Sequence, residues 1–98
     1  MYTLLTTPEF DNWLDGLKDK IAKARITARM VMAETGSFGD YKLLGGGVFE
    51  MRIDVGPGYR VYYTQRGKVV YLLLCGGDKS TQDRDIRKAA KLIKTLEI

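Results

Sequence analysis

The chain has 98 residues, of which 45% are hydrophobic and 29% are charged, a balance typical of one soluble globular domain spanning residues 1–98. It contains no histidine and one cysteine, Cys75. This excludes Ser-His-Asp and Cys-His catalysis, imidazole zinc sites and an intramolecular disulfide. The net charge of +4 favours a polyanionic partner, although many small basic domains have none.

No apolar stretch approaches the roughly 18 residues of a membrane span, and the N-terminus lacks the basic and apolar regions of a signal peptide. We therefore expect a cytoplasmic protein with no membrane partner. One cysteine and scattered carboxylates also lead us to expect no metal site and no other cofactor.

The first part of the chain predicts a strand and a short helix. Residues 2–5, "YTLL", are apolar enough for an edge strand. Thr7 is suited to cap a helix and Pro8 to occupy its first position. Apolar residues then recur at helical spacing, at Phe10, Trp13, Leu14 and Leu17.

A second helix is predicted over residues 19–36, "DKIAKARITARMVMAETG". Its apolar residues form one stripe that we expect to face the core: Ile21, Ala24, Ala28 and Val31, widened by Ile26 and Met30. Its basic residues are expected on the opposite side: Lys20, Lys23, Arg25 and Arg29. This basic side is either a solvated surface or a binding surface. The two helices would form an antiparallel hairpin.

The rest of the chain predicts a loop, a meander and a final helix. Residues 36–47 are rich in glycine and contain Lys42 in a predicted loop. Strands joined by glycine turns are expected over residues 48–55, 59–65 and 69–75. A helix is expected from about residue 81 to 96. The predicted fold is α+β in the order β-α-α-β-β-β-α, with the helical hairpin and the C-terminal helix packed on a small antiparallel sheet.

Period-2 alternation places the charged residues of the meander on one face of the sheet. The apolar residues of its first strand are expected to point toward the helices: Phe49, Met51 and Ile53. The polar residues of that strand point the other way: Glu50, Arg52 and Asp54. Arg60 and Tyr62 of the next strand share this second face, which we expect to be open, and Lys79 lies just past the third strand.

Two interpretations of this face are open. In one, Glu50 and Asp54 neutralise the arginines in cross-strand ion pairs that contribute about 0.2–1 kcal/mol each. In the other, the guanidinium groups of Arg52 and Arg60 bind phosphate and Tyr62 stacks on a base. Tyr62 could equally be an exposed β-forming residue.

The motifs "GDYK", "EMRID", "GPGYRVYY" and "GGDKSTQ" follow one another with the spacing found in a known group of toxins. Together with the helical segment "WLDGLKDKIAKARI", they make nearly the whole chain resemble the RelE/ParE superfamily of toxin–antitoxin toxins. The resemblance is strongest to its HigB-like "addiction module killer protein" group.

This resemblance implies a RelE/ParE-like domain that acts as the toxin of a type II toxin–antitoxin system. Many members cleave mRNA on the translating ribosome, so the implied activity is that of a ribosome-dependent, metal-independent mRNA interferase that inhibits translation. The implied partners are mRNA, the ribosome and a cognate antitoxin with a helix-turn-helix, and DNA is contacted only through the antitoxin complex. Two alternatives are a ParE-like inhibitor of DNA gyrase without nuclease activity and a non-catalytic module that binds nucleic acid or protein.

The resemblance also implies a set of catalytic residues, in which basic side chains replace the histidines of other nucleases. Arg60 matches the superfamily's sheet arginine, Lys79 matches a basic position after the last strand, and Arg52 matches a basic strand position. The tyrosine or histidine that some members carry near the C-terminus has no counterpart here, where Asp85 and its neighbours stand.

RNA supplies its own nucleophile, the ribose 2′-OH, so the enzyme must deprotonate it, stabilise the phosphorane and protonate the leaving oxygen. Lys79 is one candidate for the base, and Glu50 and Asp78 are the carboxylate alternatives. The residues expected to contact RNA are Tyr62, Lys42 and Glu50, although Lys42 could equally be a solvent-exposed lysine.

Overall fold

The computed structural model describes residues 1–95 and arranges them around one five-stranded sheet. The elements, in chain order, are β1 (Thr3–Thr6), α1 (Pro8–Asp15), α2 (Lys20–Glu34), β2 (Tyr41–Gly45), β3 (Val48–Ile53), β4 (Tyr59–Arg66), β5 (Val70–Asp78), a 3₁₀ turn (Lys79–Thr81) and α3 (Gln82–Thr95). The predicted α+β class is confirmed. The last predicted helical residue, Leu96, lies outside the described residues.

The sheet has the strand order β1-β5-β4-β3-β2 and is mixed, not antiparallel as predicted. The β2–β3, β3–β4 and β4–β5 pairs are antiparallel, whereas β1 lies parallel to β5. A parallel pair needs a long crossover connection, and the helices and strands between β1 and β5 supply it.

The predicted loop over residues 36–47 contains a strand that the sequence interpretation missed. Tyr41–Gly45 forms the edge strand β2, in which Lys42 is the register partner of Glu50 and Tyr41 that of Met51. The sequence interpretation missed this strand because the neighbouring run of glycines indicated a loop. The strand is stabilised by its pairing with β3 and not by local propensity.

The start of α1 confirms the predicted cap. The buried Thr7 hydroxyl accepts a hydrogen bond from the Phe10 amide at 3.0 Å and donates one to the Leu74 carbonyl at 2.6 Å. One side chain therefore caps the helix and ties it to β5.

We expect Thr7→Ala to lower the free energy of unfolding by about 1–2 kcal/mol, since it removes a cap and leaves a buried carbonyl without its donor. Thr7→Ser keeps the hydroxyl and should lose less than half as much. Urea denaturation of the two variants measures this difference, and equal losses would show that the methyl group, not the hydroxyl, carries the effect.

Both faces of the sheet are covered. Helices α1 and α2 pack on one face over a core cluster that includes Phe10, Ile26, Met51, Ile53, Val61 and Tyr63. On the other face α3 packs over Val48, Tyr62, Leu74, Cys75 and Ala89. The predicted division of β3 and β4 into two faces is thus confirmed, but the expectation that the second face is open is wrong, because α3 lies on it.

The predicted orientation of α2 is correct only for the two widening residues, since Ile26 is buried and Met30 packs against the core. The helix buries Ala22, Ile26 and Ala33, whereas the expected core stripe of Ile21, Ala24, Ala28 and Val31 is exposed. Arg29, predicted on the basic side opposite the apolar stripe, is half-buried and donates to the backbone carbonyls of Arg52 at 2.7 Å and Phe38 at 2.9 Å. None of the helices in residues 1–95 combines the length and the hydropathy needed to cross a membrane.

Candidate nucleic-acid interface

Strands β3 and β4 bring the two predicted sheet arginines together. Arg52 and Arg60 are direct cross-strand partners in the antiparallel ladder, and Glu50 is likewise paired with Tyr62. Residues paired in this way point to the same face of the sheet. The juxtaposition that alternation predicted is therefore present, on the face that α3 covers in part.

Glu50 is the centre of this group and is fully buried. Its carboxylate accepts hydrogen bonds from Arg52 Nε at 3.0 Å and from Gln82 Nε2 of α3 at 2.7 Å, and it lies 3.9 Å from Arg60 Nε. The hydrogen bond and the negative charge of Glu50 raise the pKa of Arg52. Glu50 therefore holds both arginines and the start of α3, and the expectation that it lies on an exposed, RNA-contacting face is wrong.

Tyr62 is fully buried as well, in the cluster beneath α3. Burial raises the pKa of its hydroxyl, and the negative charges of Glu50 and Asp85 add to that effect. The hydroxyl oxygen is buried and makes no well-formed hydrogen bond with the described residues. The ring of Tyr62 is enclosed by α3 and presents no surface to a base. The expectation that Tyr62 lies on an open face and stacks on a base is therefore wrong.

The arginine side chains remain partly accessible beside this buried carboxylate. The side chain of Arg52 is 36% exposed and that of Arg60 is 13% exposed. Arg60 Nη1 donates to the carbonyl of Tyr59 at 3.3 Å. The interpretation in which acidic residues neutralise the arginines is thus correct for Glu50. The Glu50 carboxylate faces the Nε atoms of the two arginines, and both arginine side chains still reach the surface.

Gly58 places Lys79 beside Arg60. The residue has φ of +83°, and a Cβ there would lie 3.7 Å from both Arg60 Nη1 and Lys79 Cβ. Its carbonyl accepts a hydrogen bond from the Lys79 amide at 2.8 Å. Lys79 is exposed and Arg60 is half-buried, so a tight glycine turn places the two residues next to each other.

A shallow polar pocket of about 330 Å³ opens next to Lys79, at the beginning of α3. Its lining is Lys79, Ser80, Thr81, Gln82, Asp83, Arg84 and Arg87. The sequence interpretation missed Arg84 and Arg87, although their spacing of three residues on a predicted helix places them on one face. We call Arg52, Arg60, Lys79, Arg84 and Arg87 the basic cluster.

Lys42 lies on the same face of the sheet as the basic cluster but at its margin. It is exposed on edge strand β2, and its register partner is Glu50. The structure therefore places Lys42 on a strand beside the site and not in the predicted loop.

The carboxylates next to the pocket have structural partners. Asp78 caps the 3₁₀ turn, and hydrogen bonds from the Ser80 hydroxyl and amide lower its pKa. Buried Asp85 accepts a hydrogen bond from the Thr81 hydroxyl at 2.6 Å. The lowered pKa makes Asp78 a weak proton acceptor, and Asp85 is buried, which leaves Lys79 as the exposed candidate base.

Cys75 is a structural residue. It is buried beneath α3, and this burial raises the pKa of its thiol to about 12. Within residues 1–95, no three His, Cys, Asp or Glu side chains are grouped so that they could hold a metal ion.

The fold and the site together define a class of small α+β protein. One face of its sheet is partly covered by a helix and carries arginines that a buried carboxylate holds. A pocket lined by basic residues lies beside them. A family model described as "Phage derived protein Gp49-like (DUF891)" matches residues 12–95, and the chain belongs to this family. The family is toxin-like and related to addiction modules.

A protein of Haemophilus influenzae, described as uncharacterized, is 53% identical over 91 residues, which cover 93% of this chain and 92% of the relative. The similarity thus extends over nearly the full length of both proteins.

Proposed function

We propose that this protein is the toxin of a type II toxin–antitoxin system and that it acts as a ribosome-dependent mRNA interferase. The observation that carries the proposal is the basic cluster. Lys79, Arg84 and Arg87 line one polar pocket. Arg60 lies next to Gly58, as Lys79 does, and Arg52 is the cross-strand partner of Arg60. Such a cluster is suited to an RNA phosphate, because guanidinium groups bind phosphate oxygens through paired N–H donors.

Arg60 is the residue assigned to the scissile phosphate. Its Nε lies near Glu50 and its Nη1 near Gly58, so the guanidinium is held between a buried carboxylate and the turn beside the pocket. A donor held in advance stabilises the developing phosphorane charge without reorganising during the reaction.

Lys79 is assigned to proton transfer with the 2′-OH. It is exposed beside Arg60, whereas Glu50 is fully buried and the pKa of Asp78 is lowered by its cap hydrogen bonds. Arg52, with 36% of its side chain exposed, is assigned to positioning the RNA backbone. Lys42, Arg84 and Arg87 extend the cationic surface on either side.

The partner proposed for this protein is a cognate antitoxin, a helix-turn-helix protein, through which DNA is contacted indirectly. A cationic site that attacks essential machinery must be blocked when the cell is growing.

We expect Arg60→Ala to abolish growth inhibition on induced expression and to slow cleavage of ribosome-bound mRNA by about 10²–10³-fold, the usual cost of removing one donor to a transition-state oxyanion. Lys68→Ala removes an exposed charge from the distant β4–β5 turn and serves as the matched control. Primer extension on ribosome-bound mRNA measures cleavage, and a thermal melt checks that both variants are folded.

The same experiment separates the alternatives. Full toxicity of folded Arg60→Ala would overturn the site assignment. Accumulation of cleaved DNA–gyrase complexes without mRNA cleavage would replace the proposed activity with gyrase inhibition, and a wild-type protein that is harmless when overproduced would be a binding module.

A further inference from the structure

Helix α2 carries an apolar stripe that no other part of residues 1–95 covers. It consists of Ile21, Ala24, Ala28, Val31 and Met32, and we call it the α2 seam. Ile21, Val31 and Met32 are 66%, 57% and 50% exposed, and both alanines are exposed. A contiguous exposed apolar surface is a feature of interaction sites.

The spacing of the α2 seam is that of a helix-packing surface. Ile21, Ala24, Ala28 and Val31 follow one another at intervals of three, four and three residues, the a/d pattern of a coiled coil. The small alanines at its centre leave shallow grooves, of about 510 Å³ and 350 Å³, in which Ala24 and Ala28 form part of the lining. An apolar side chain of a second helix would fill such grooves.

The charges beside the α2 seam select the partner. Lys20, Lys23 and Arg25 flank its first half, and the only acidic residue within α2 is Glu34 at its last position. A further groove of about 330 Å³, near Met32, is lined by Arg25 and Arg29 and by one acid, Asp54. Since flanking charges set partner choice in paired helices, a basic border favours an acidic helix.

Two other occupants fit less well. A second copy of this chain packed through its own α2 would bring lysines and arginines against lysines and arginines, which is unfavourable. A nucleic acid would pair with the charges but would leave Ile21, Val31 and Met32 exposed to water.

We propose that the α2 seam is a docking site for an acidic amphipathic α-helix of a partner protein. The inference goes beyond the proposed function, because α2 packs on the sheet face opposite to the basic cluster. A helix bound to the seam would leave Arg60 and Lys79 uncovered, so it would tether a partner without blocking the pocket.

The test uses the full chain and designed peptides of about three heptads with leucine at a and d. One peptide carries glutamate at e and g, and the other carries lysine there. We expect calorimetric titration to give a Kd of about 1–100 μM for the acidic peptide and binding at least tenfold weaker for the basic one. Raising the salt concentration should weaken the acidic complex, since its charges are exposed.

A matched pair of alanine variants locates the binding surface. Ala28→Gln enlarges the centre of the α2 seam without changing the charge, and Ala90→Gln makes the same change on an exposed position of α3. We expect Ala28→Gln to reduce affinity at least tenfold and Ala90→Gln to leave it unchanged within twofold. Cleavage of ribosome-bound mRNA by Ala28→Gln should equal that of the wild type.

Several outcomes would overturn the inference. They are equal affinity for the two peptides, no binding of the acidic peptide below about 1 mM, or equal effects of the two variants. Self-association of the wild type that Ala28→Gln abolishes would assign the seam to a second copy, and displacement of the peptide by RNA would assign it to nucleic acid. None of these results depends on whether the protein is a toxin.

Discussion

Gly76→Ala is expected to lower the free energy of unfolding by about 3 kcal/mol, at the upper end of what overpacking costs. Gly76 lies on β5 directly beneath the indole of Trp13, and a Cβ there would approach the ring to well under 3.0 Å, closer than real Cβ atoms come to other atoms. The ring also contacts Phe10 and Tyr59, so it cannot move aside without disturbing the core under α1.

Thermal unfolding measures this effect, since about 1 kcal/mol shifts the Tm of a domain of this size by roughly 4–8 °C. Gly16→Ala is the control: Gly16 has φ of −80°, and its new Cβ would meet nothing closer than the Asn12 carbonyl at 3.2 Å. Replacing the indole by a smaller side chain in Gly76→Ala/Trp13→Leu should recover part of the loss, because the two substitutions share one contact. Strictly additive losses in the double variant would contradict this explanation.

Glu50→Ala is expected to cost about 3 kcal/mol, the lower end of the range for breaking a buried ion pair. The change removes the acceptor of Gln82 and Arg52 and leaves Arg60 Nε buried without its opposite charge. The lower end applies because the Arg52 side chain is 36% exposed and regains hydration once released.

Asp54→Ala is the matched control for Glu50→Ala, since it removes an exposed carboxylate just beyond the same strand and should change stability by less than about 0.5 kcal/mol. Glu50→Gln keeps the shape and one acceptor oxygen, so we expect a smaller loss than with alanine. Urea denaturation compares the three variants. If Glu50→Ala and Asp54→Ala lose the same stability, Glu50 does not organise the arginines as we describe.

The buried carboxylate also shows which part of the site could be predicted from the sequence: the pairing of the two sheet arginines could be, but the burial of their surroundings could not. Alternation along β3 and β4 predicted that Arg52 and Arg60 are neighbours, and the ladder confirms it. The same alternation placed Glu50 and Tyr62 on an open surface. Whether a sheet face is open depends on a distant helix, and Gln82 of α3 reaches Glu50 across 32 positions of sequence.

Helix α2 shows the same separation between pattern and burial. The stripe of Ile21, Ala24, Ala28 and Val31 was correctly identified as apolar and helical, but it was assigned to the core. The helix instead buries Ala22, Ile26 and Ala33. A helix with apolar residues on more than one side has no single orientation encoded locally, so contacts with β1 and the sheet decide between them.

The amino-acid sequence by itself determined the elements whose signals act over a few residues: the Thr7 cap, the helices, the glycine turns and the alternation of β3 and β4. Tertiary structure alone decided the parallel pairing of β1, the existence of strand β2, the burial of Glu50 and Tyr62 and the outward face of α2. The physical reason is the distance along the sequence between the residues that interact. Caps, turns and periodicity are set by neighbouring residues, whereas burial and strand pairing depend on residues that meet only when the whole chain has folded.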